Sequence, residues 1–159
     1  MKKITMTYAE SVAKYNEVYN EPKPKCTPEI LHDPKKWDEW FTNTILPWDK
    51  EHDEKLKQAY KNIVPEVGVG CTIIYWSDKR AATVTEIISP CKIKVRHNKV
   101  KCIDYYAGDY EILPELCEDK DEEIFTKRSN GMWVEEGQSC KDGVRLSLLW
   151  QTHYIDPCF

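Results

Sequence analysis

The hydrophobic period of this chain changes once, near Pro65, and that change restricts the fold more than any single motif does. Ahead of it, apolar residues recur at helical spacing; behind it, they alternate or fall in short runs bounded by turn residues. Helices followed by a succession of strands indicate an α+β protein rather than an alternating βαβ chain. A length of 159 residues is enough to bury a real core. The pattern predicts a helical N-terminal part over residues 1–65, packed on a small antiparallel β-barrel-like domain over residues 66–159.

In the first part, Thr7 and Glu10 have the spacing of a capping box, and Tyr8, Val12, Tyr15 and Tyr19 then share one helical face. Glu21-Pro22-Lys23-Pro24-Lys25 ends that helix as a stiff linker. Asp33-Pro34 marks a second start. Trp37, Trp40, Phe41 and Ile45 form its apolar stripe, which at this spacing reads as core. Pro47 is expected to separate it from a third helix carrying Leu56, Ala59, Tyr60 and Ile63, which ends over Asn62 to Pro65.

In the second part, Gly68 and Gly70 lead into a strand over Cys71 to Trp76. They precede a strand and do not open a helix, so they form an entry turn and not a phosphate-cradling loop. Thr83 to Ile88, Tyr110 to Leu113, Ile124 to Arg128, Met132 to Glu135 and Val144 to Trp150 read as further strands. Asn130-Gly131 between two of them is a tight hairpin signal that calls for positive φ at both positions.

Charge singles out one segment. From Cys91 to Ile103, Ile93 and Val95 alternate with Lys92, Lys94 and Arg96, and Lys99 and Lys101 follow. A turn at His97-Asn98 would make this a ribbon with one cationic face, on a chain whose net charge is −4. Positive charge concentrated against an acidic background favours a phosphate-bearing or carboxylate-rich partner. The alternative is an edge hairpin kept soluble by lysines, or a ribbon neutralised by the acidic loop Glu115 to Glu123. Tyr75, Trp76, Tyr105 and Tyr106 could stack on a base. Ser77-Asp78-Lys79-Arg80 offers an acceptor for hydroxyls and a donor for phosphate, and Lys127-Arg128 adds charge.

Motifs for catalysis and metal binding are missing from the sequence. His32, His52, His97 and His153 lie in no hydrolase or metalloprotease context. The seven cysteines include no Cys-x-x-Cys pair, which argues for reduced thiols and against a structural metal. No apolar run is long enough to cross a bilayer, and the start Met1-Lys2-Lys3 lacks the apolar stretch of a signal peptide. A cytoplasmic protein without cofactor or metal is expected.

The second half resembles a family of small, mostly uncharacterised proteins of bacteriophages and prophages. The residues that carry the likeness are Val67-Gly68-Val69-Gly70-Cys71-Thr72, Tyr75-Trp76-Ser77-Asp78-Lys79-Arg80-Ala81, Thr83-Val84 and Ile93-Lys94-Val95. Phe125 to Trp133 and the terminal Tyr154-Ile155-Asp156-Pro157-Cys158-Phe159 complete it. The chain departs from the family at Lys79-Arg80, where Arg-His is usual, and near Asn98, where an acidic residue is usual. The resemblance implies a phage origin and action in the host bacterial cytoplasm. It is compatible with the anti-defence role common among small phage accessory proteins, some of which sequester nucleotide signals.

A non-catalytic, anti-defence binding protein that captures a small phosphorylated nucleotide is expected. Arg80, Lys94, Arg96 and Arg145 would meet phosphates, Trp76 and Tyr106 would stack on the base, and Asp78 would hold a ribose hydroxyl. Because one small barrel offers few walls, a homo-oligomer with pockets between subunits is expected. The alternatives are an inhibitor that binds a host defence protein through its helical part and exposed aromatics, a small-barrel nucleic-acid-binding module, or an aromatic cage for a methylated lysine.

Overall fold

The structure, a computed structural model, describes residues 6–158. Its helical part comprises α1 (Tyr8–Tyr19), α2 (Pro28–Leu31), α3 (Pro34–Trp40), a π-helical stretch (Phe41–Ile45) and α4 (Leu46–Lys61). Seven strands follow: β1 (Gly70–Ile74), β2 (Lys79–Ser89), β3 (Lys92–Asp104), β4 (Asp109–Leu116), β5 (Glu123–Lys127), β6 (Trp133–Glu135) and β7 (Arg145–Ser147). All pairings are antiparallel. The order β2-β1-β7-β6-β5-β3, with β3 returning to β2, closes a barrel of six strands, and β4 is an extra strand on the far half of β3. The α+β barrel architecture read from the sequence is therefore present. Among the described residues no helix is long and apolar enough to cross a membrane.

Alternation fills the barrel. Cys71, Ile73, Ala82, Val84, Ile93, Val95, Phe125, Trp133, Leu146 and Leu148 point into one shared core. Ile63, just beyond α4, joins that core, and Tyr8, Val12, Tyr15 and Tyr60 pack against it. Two of these tyrosines also serve the shortest strand region: Tyr8 donates to the carbonyl of Leu148 at 2.5 Å and Tyr60 to that of Leu146 at 3.2 Å. The helical part thus seals the barrel and satisfies backbone groups that a three-residue strand leaves over.

Local signals explain the boundaries. The Thr7 hydroxyl accepts from the Glu10 amide at 3.2 Å and the Glu10 carboxylate accepts from the Thr7 amide at 3.0 Å, completing the capping box. Asp33 caps α3 through the amides of Lys35 and Lys36. Gly131 has φ +85°, and a Cβ there would lie 2.9 Å from that of Lys61, so the β5–β6 turn can tuck under the end of α4 only as glycine. From the end of β5, just before that turn, Lys127 donates to the Lys61 carbonyl, a cation placed at a helix C-terminus.

Four local expectations need correction. His97-Asn98 is no turn: both residues are buried inside the continuous strand β3. Asn98 is held there by donating to the Leu113 carbonyl at 2.9 Å and accepting from the Thr83 hydroxyl at 2.7 Å. Pro47 does not break the helix. It sits in the first turn of α4, and the wide turn before it, where the Leu46 amide reaches back to Phe41, relieves the clash its ring would otherwise cause. At Asn130-Gly131 only the glycine adopts positive φ. Finally, of the stripe Trp37, Trp40, Phe41 and Ile45 only Ile45 is buried. No residue of α3 is buried, and Trp37 stacks on Phe41 with ring centroids 5.0 Å apart.

Candidate functional site

Three cations of β3, Lys92, Lys94 and Arg96, are occupied by the protein's own acceptors, whereas Lys99 and Lys101 on its far half are exposed and have no carboxylate within ion-pair distance among the described residues. Lys92 lies 2.6 Å from Glu136 and Lys94 lies 3.2 Å from Glu86. Arg96 donates to the carbonyls of Cys117 and Lys120 at 3.2 and 2.8 Å and reaches Glu122 at 3.6 Å. It therefore ties the acidic loop down onto the barrel. Lys94 and Arg96 are not an open phosphate site, because a phosphate there would have to displace carboxylates already in place. Arg128 is spent in the same way, bonding the Thr126 hydroxyl and the carbonyls of Glu135 and Gln138.

Asp78 is also engaged. One oxygen accepts from Arg80 at 3.1 Å and the other from the Asp156 amide at 2.9 Å, which pins the C-terminal segment. This is a structural post and not a free acceptor for a ribose. Tyr106 is 86 % exposed on the β3–β4 turn and lines neither of the clefts described next.

Trp76 and Arg145, by contrast, do come together. The tight turn Tyr75–Asp78, closed by the Tyr75 amide on the Asp78 carbonyl at 3.0 Å, holds the Trp76 side chain wholly in solvent. Arg145 stands opposite Ile74 in the β1–β7 register. Between this turn and the loop entering β7 lies a cleft of about 470 Å³, lined by Ile74, Tyr75, Trp76, Lys141, Asp142, Gly143, Val144 and Arg145. Among the described residues no carboxylate lies within ion-pair distance of Arg145 or Lys141. An indole face beside two unpaired cations can take an aromatic group and an anion together.

Tyr75 is also a wall of a second cleft, of about 550 Å³, shared with Asp78, Arg80, His97, Lys120, Asp121 and Glu123. Here His97 Nε2 meets Glu123 Oε1 at 3.1 Å, while Glu123 Oε2 is shut off from solvent and has no hydrogen-bond partner among the described residues. Burial, then the carboxylates of Glu123 and Glu135, push the Tyr75 phenol up to about 12. Tyr75 is therefore a neutral wall at any physiological pH. The sequence named Trp76, Arg80 and Arg145 but missed Lys141 and the His97–Glu123 pair. Glu123 was hidden in an acidic run, and only its place at the start of β5 separates it from the exposed loop.

Behind this cleft, His153 Nδ1 accepts from the Ala81 amide at 3.3 Å, so the neutral ring carries its proton on Nε2. Burial, with Arg80, His97 and Lys120 adding to it and Asp78 opposing, lowers this imidazole to about 4. In the unfolded chain a histidine titrates near about 6.5. The unfolded state thus binds the proton more readily, and the stability present above about pH 6.5 should be lost as pH falls towards about 4. Urea midpoints measured across that window should fall with pH. His153→Gln should flatten the slope, and an unchanged slope would place the response in another group.

No family model, curated protein or solved structure matches this chain. Its functional reading therefore rests on the clefts themselves.

Proposed function

We propose that this chain is a non-catalytic binding protein for a small phosphorylated nucleotide, held at the Trp76–Arg145 cleft. The observation that carries the reading is a fully exposed indole in one cleft with Arg145 and Lys141, two cations against the single carboxylate of Asp142, and neither cation has a carboxylate within ion-pair distance among the described residues. The indole stacks on a base and the two cations take the phosphate. Arg145 can do so through two parallel hydrogen bonds. In the setting suggested by the phage-family resemblance, such a protein would act in the host cytoplasm by sequestering a nucleotide immune signal. A second subunit would supply the walls that this open cleft lacks.

Isothermal titration against a panel of signalling nucleotides tests the reading. Trp76→Ala and Arg145→Ala should each weaken binding about tenfold or more, the worth of one stacked base or one charge-assisted hydrogen bond. Lys94→Ala should leave affinity unchanged, because Lys94 already pairs with Glu86. Silence across the panel at micromolar protein would remove the nucleotide reading.

A second reading then becomes the stronger one, and a specific feature favours it. The arm formed by α2, α3 and the π-helical stretch buries only Ile45, and it leaves Leu31 61 % and Trp37 37 % exposed. Such a surface suits a contact with a host defence protein.

A further inference from the structure

A third cleft, of about 520 Å³, lies where the end of α4 meets the end of β2, and it shares no lining residue with the Trp76–Arg145 cleft. Asn62 caps α4, and the chain leaves the helix as Ile63-Val64-Pro65 to form one wall. The facing wall is the end of β2 and the turn after it. There the register with β3 slips between Ile87 and Ser89, and Ile87, Ile88 and Pro90 all line the cleft. Ile88 is left 43 % exposed. The Ser89 hydroxyl already accepts from the Cys91 amide at 3.3 Å. Lys127 enters from the end of β5, and Lys61 is the second cation of the lining. Lys127 spends one donor on the Lys61 carbonyl, and an ammonium has three. Among the described residues no Asp or Glu lines this cleft, and none lies within ion-pair distance of either lysine. Burial lowers the Lys127 ammonium from its ordinary value, Cys91 opposes this, and Lys61 adds to it. This cation is therefore partly desolvated, stands near a like charge and lacks a counter-ion.

We propose that this cleft binds a fatty carboxylate, with its alkyl chain along the isoleucine and proline walls and its headgroup on Lys127 and Lys61. Charge complementarity selects the head. An anion supplies the counter-ion that Lys127 lacks and meets its remaining donors, whereas a cationic head is repelled and a neutral hydroxyl leaves the ammonium uncompensated. The walls select the tail. Val64, Pro65, Ile87, Ile88 and Pro90 carry no hydrogen-bonding side chain, and the two prolines offer no amide, so a polar body would lose hydration there without replacing it. An alkyl chain loses nothing on leaving water and covers the exposed Ile88. Clefts of this size with apolar walls and a few convergent polar groups are the usual form of a small-molecule site. The proposal stands on its own residues and does not depend on the nucleotide reading.

Decanoate, 1-decanol and decyltrimethylammonium, titrated into the unmodified protein by calorimetry, test it. Decanoate should bind about tenfold or more tighter than either of the others, the value of one charge-assisted hydrogen bond. Hexanoate should bind about tenfold or more weaker than decanoate, because each buried methylene is worth roughly three- to fourfold. Lys127→Met keeps the apolar stem and should remove the preference for decanoate over decanol. Ile88→Glu, at an exposed position, places a carboxylate in the cleft and should weaken decanoate about tenfold or more. The comparison of headgroups needs no variant, so a poorly folding Lys127→Met does not blunt the test. Trp76→Ala should leave decanoate affinity unchanged. Decanol binding as tightly as decanoate, or decanoate failing to bind at millimolar concentration, would overturn the proposal. Decanoate affinity lost in Trp76→Ala and kept in a folded Ile88→Glu would overturn it too, by placing the anion in the Trp76–Arg145 cleft.

Discussion

Phe125→Ala should cost about 3–5 kcal/mol of folding stability, enough to leave a domain of ordinary stability barely folded. Phe125 is fully buried and stands on β5 between Ile93 of β3 and Glu135 of β6. Truncation removes the transfer free energy of the ring and leaves a cavity. The neighbouring strands, fixed in register by backbone hydrogen bonds, cannot collapse into that space. Chemical denaturation followed by tryptophan fluorescence measures the loss, with Trp133 in the same core as reporter. Trp37→Ala is the matched control and should change stability by about 0.5 kcal/mol or less, because its ring stacks on Phe41 outside the core. Equal losses in the two variants would mean that the helical arm is as integral to folding as the barrel.

Particular residues show what the sequence could and could not reveal. The class of fold was legible because it rests on local rules. Thr7 and Glu10 cap a helix by spacing alone, and Ile93 and Val95 alternate because a strand has two faces. The sequence left open whether the cationic ribbon is free or neutralised, because most of its ion pairing is not local. Lys94 finds Glu86 on a neighbouring strand, Lys92 finds Glu136 beyond β6, and Arg96 finds carbonyls in the loop it anchors. Glu86 and Lys94 stand opposite each other across the β2–β3 hairpin, but a shift in that register beside Glu86 hides the pairing, and no spacing rule relates the other two. Trp76 and Arg145 are 69 positions apart in the chain and meet only because β1 pairs with β7. That pairing depends on how the barrel closes. The tryptophans of α3 had the spacing of a core stripe, but a stripe becomes core only when something packs on it. In this fold the barrel end is already taken by α1 and α4.

The C-terminal segment supplies the second large effect, through one hydroxyl. Beyond Leu148 the chain leaves the barrel ladder and runs across β1 and β2. Thr72, fully buried on β1, holds it at two points: its hydroxyl donates to the Trp150 carbonyl at 2.8 Å and accepts from the Thr152 amide at 2.9 Å. Gln151 donates to the Ala82 carbonyl, His153 accepts from the Ala81 amide, and Tyr154 exchanges both backbone bonds with Lys79. The segment thereby takes up groups on β2 at the end where its pairing with β3 stops at Ala82 and His97. Thr72→Val keeps the shape but strands one donor and one acceptor, and it should cost about 2–4 kcal/mol. Thr72→Ser, which keeps the hydroxyl, should cost less than half as much. The loss should also be local before it is global. Amide hydrogen exchange in Thr72→Val should speed up first at Thr152 to Asp156, and Asp78, losing its contact with the Asp156 amide, would then hold the Tyr75–Asp78 turn less firmly. Since that turn carries Trp76, ligand affinity should fall in Thr72→Val at temperatures where the barrel is still folded. Exchange that quickens uniformly over the barrel, with residues 152–156 no faster than β1 and β2, would show that the segment is not a separate strap and that Thr72 contributes only to the core.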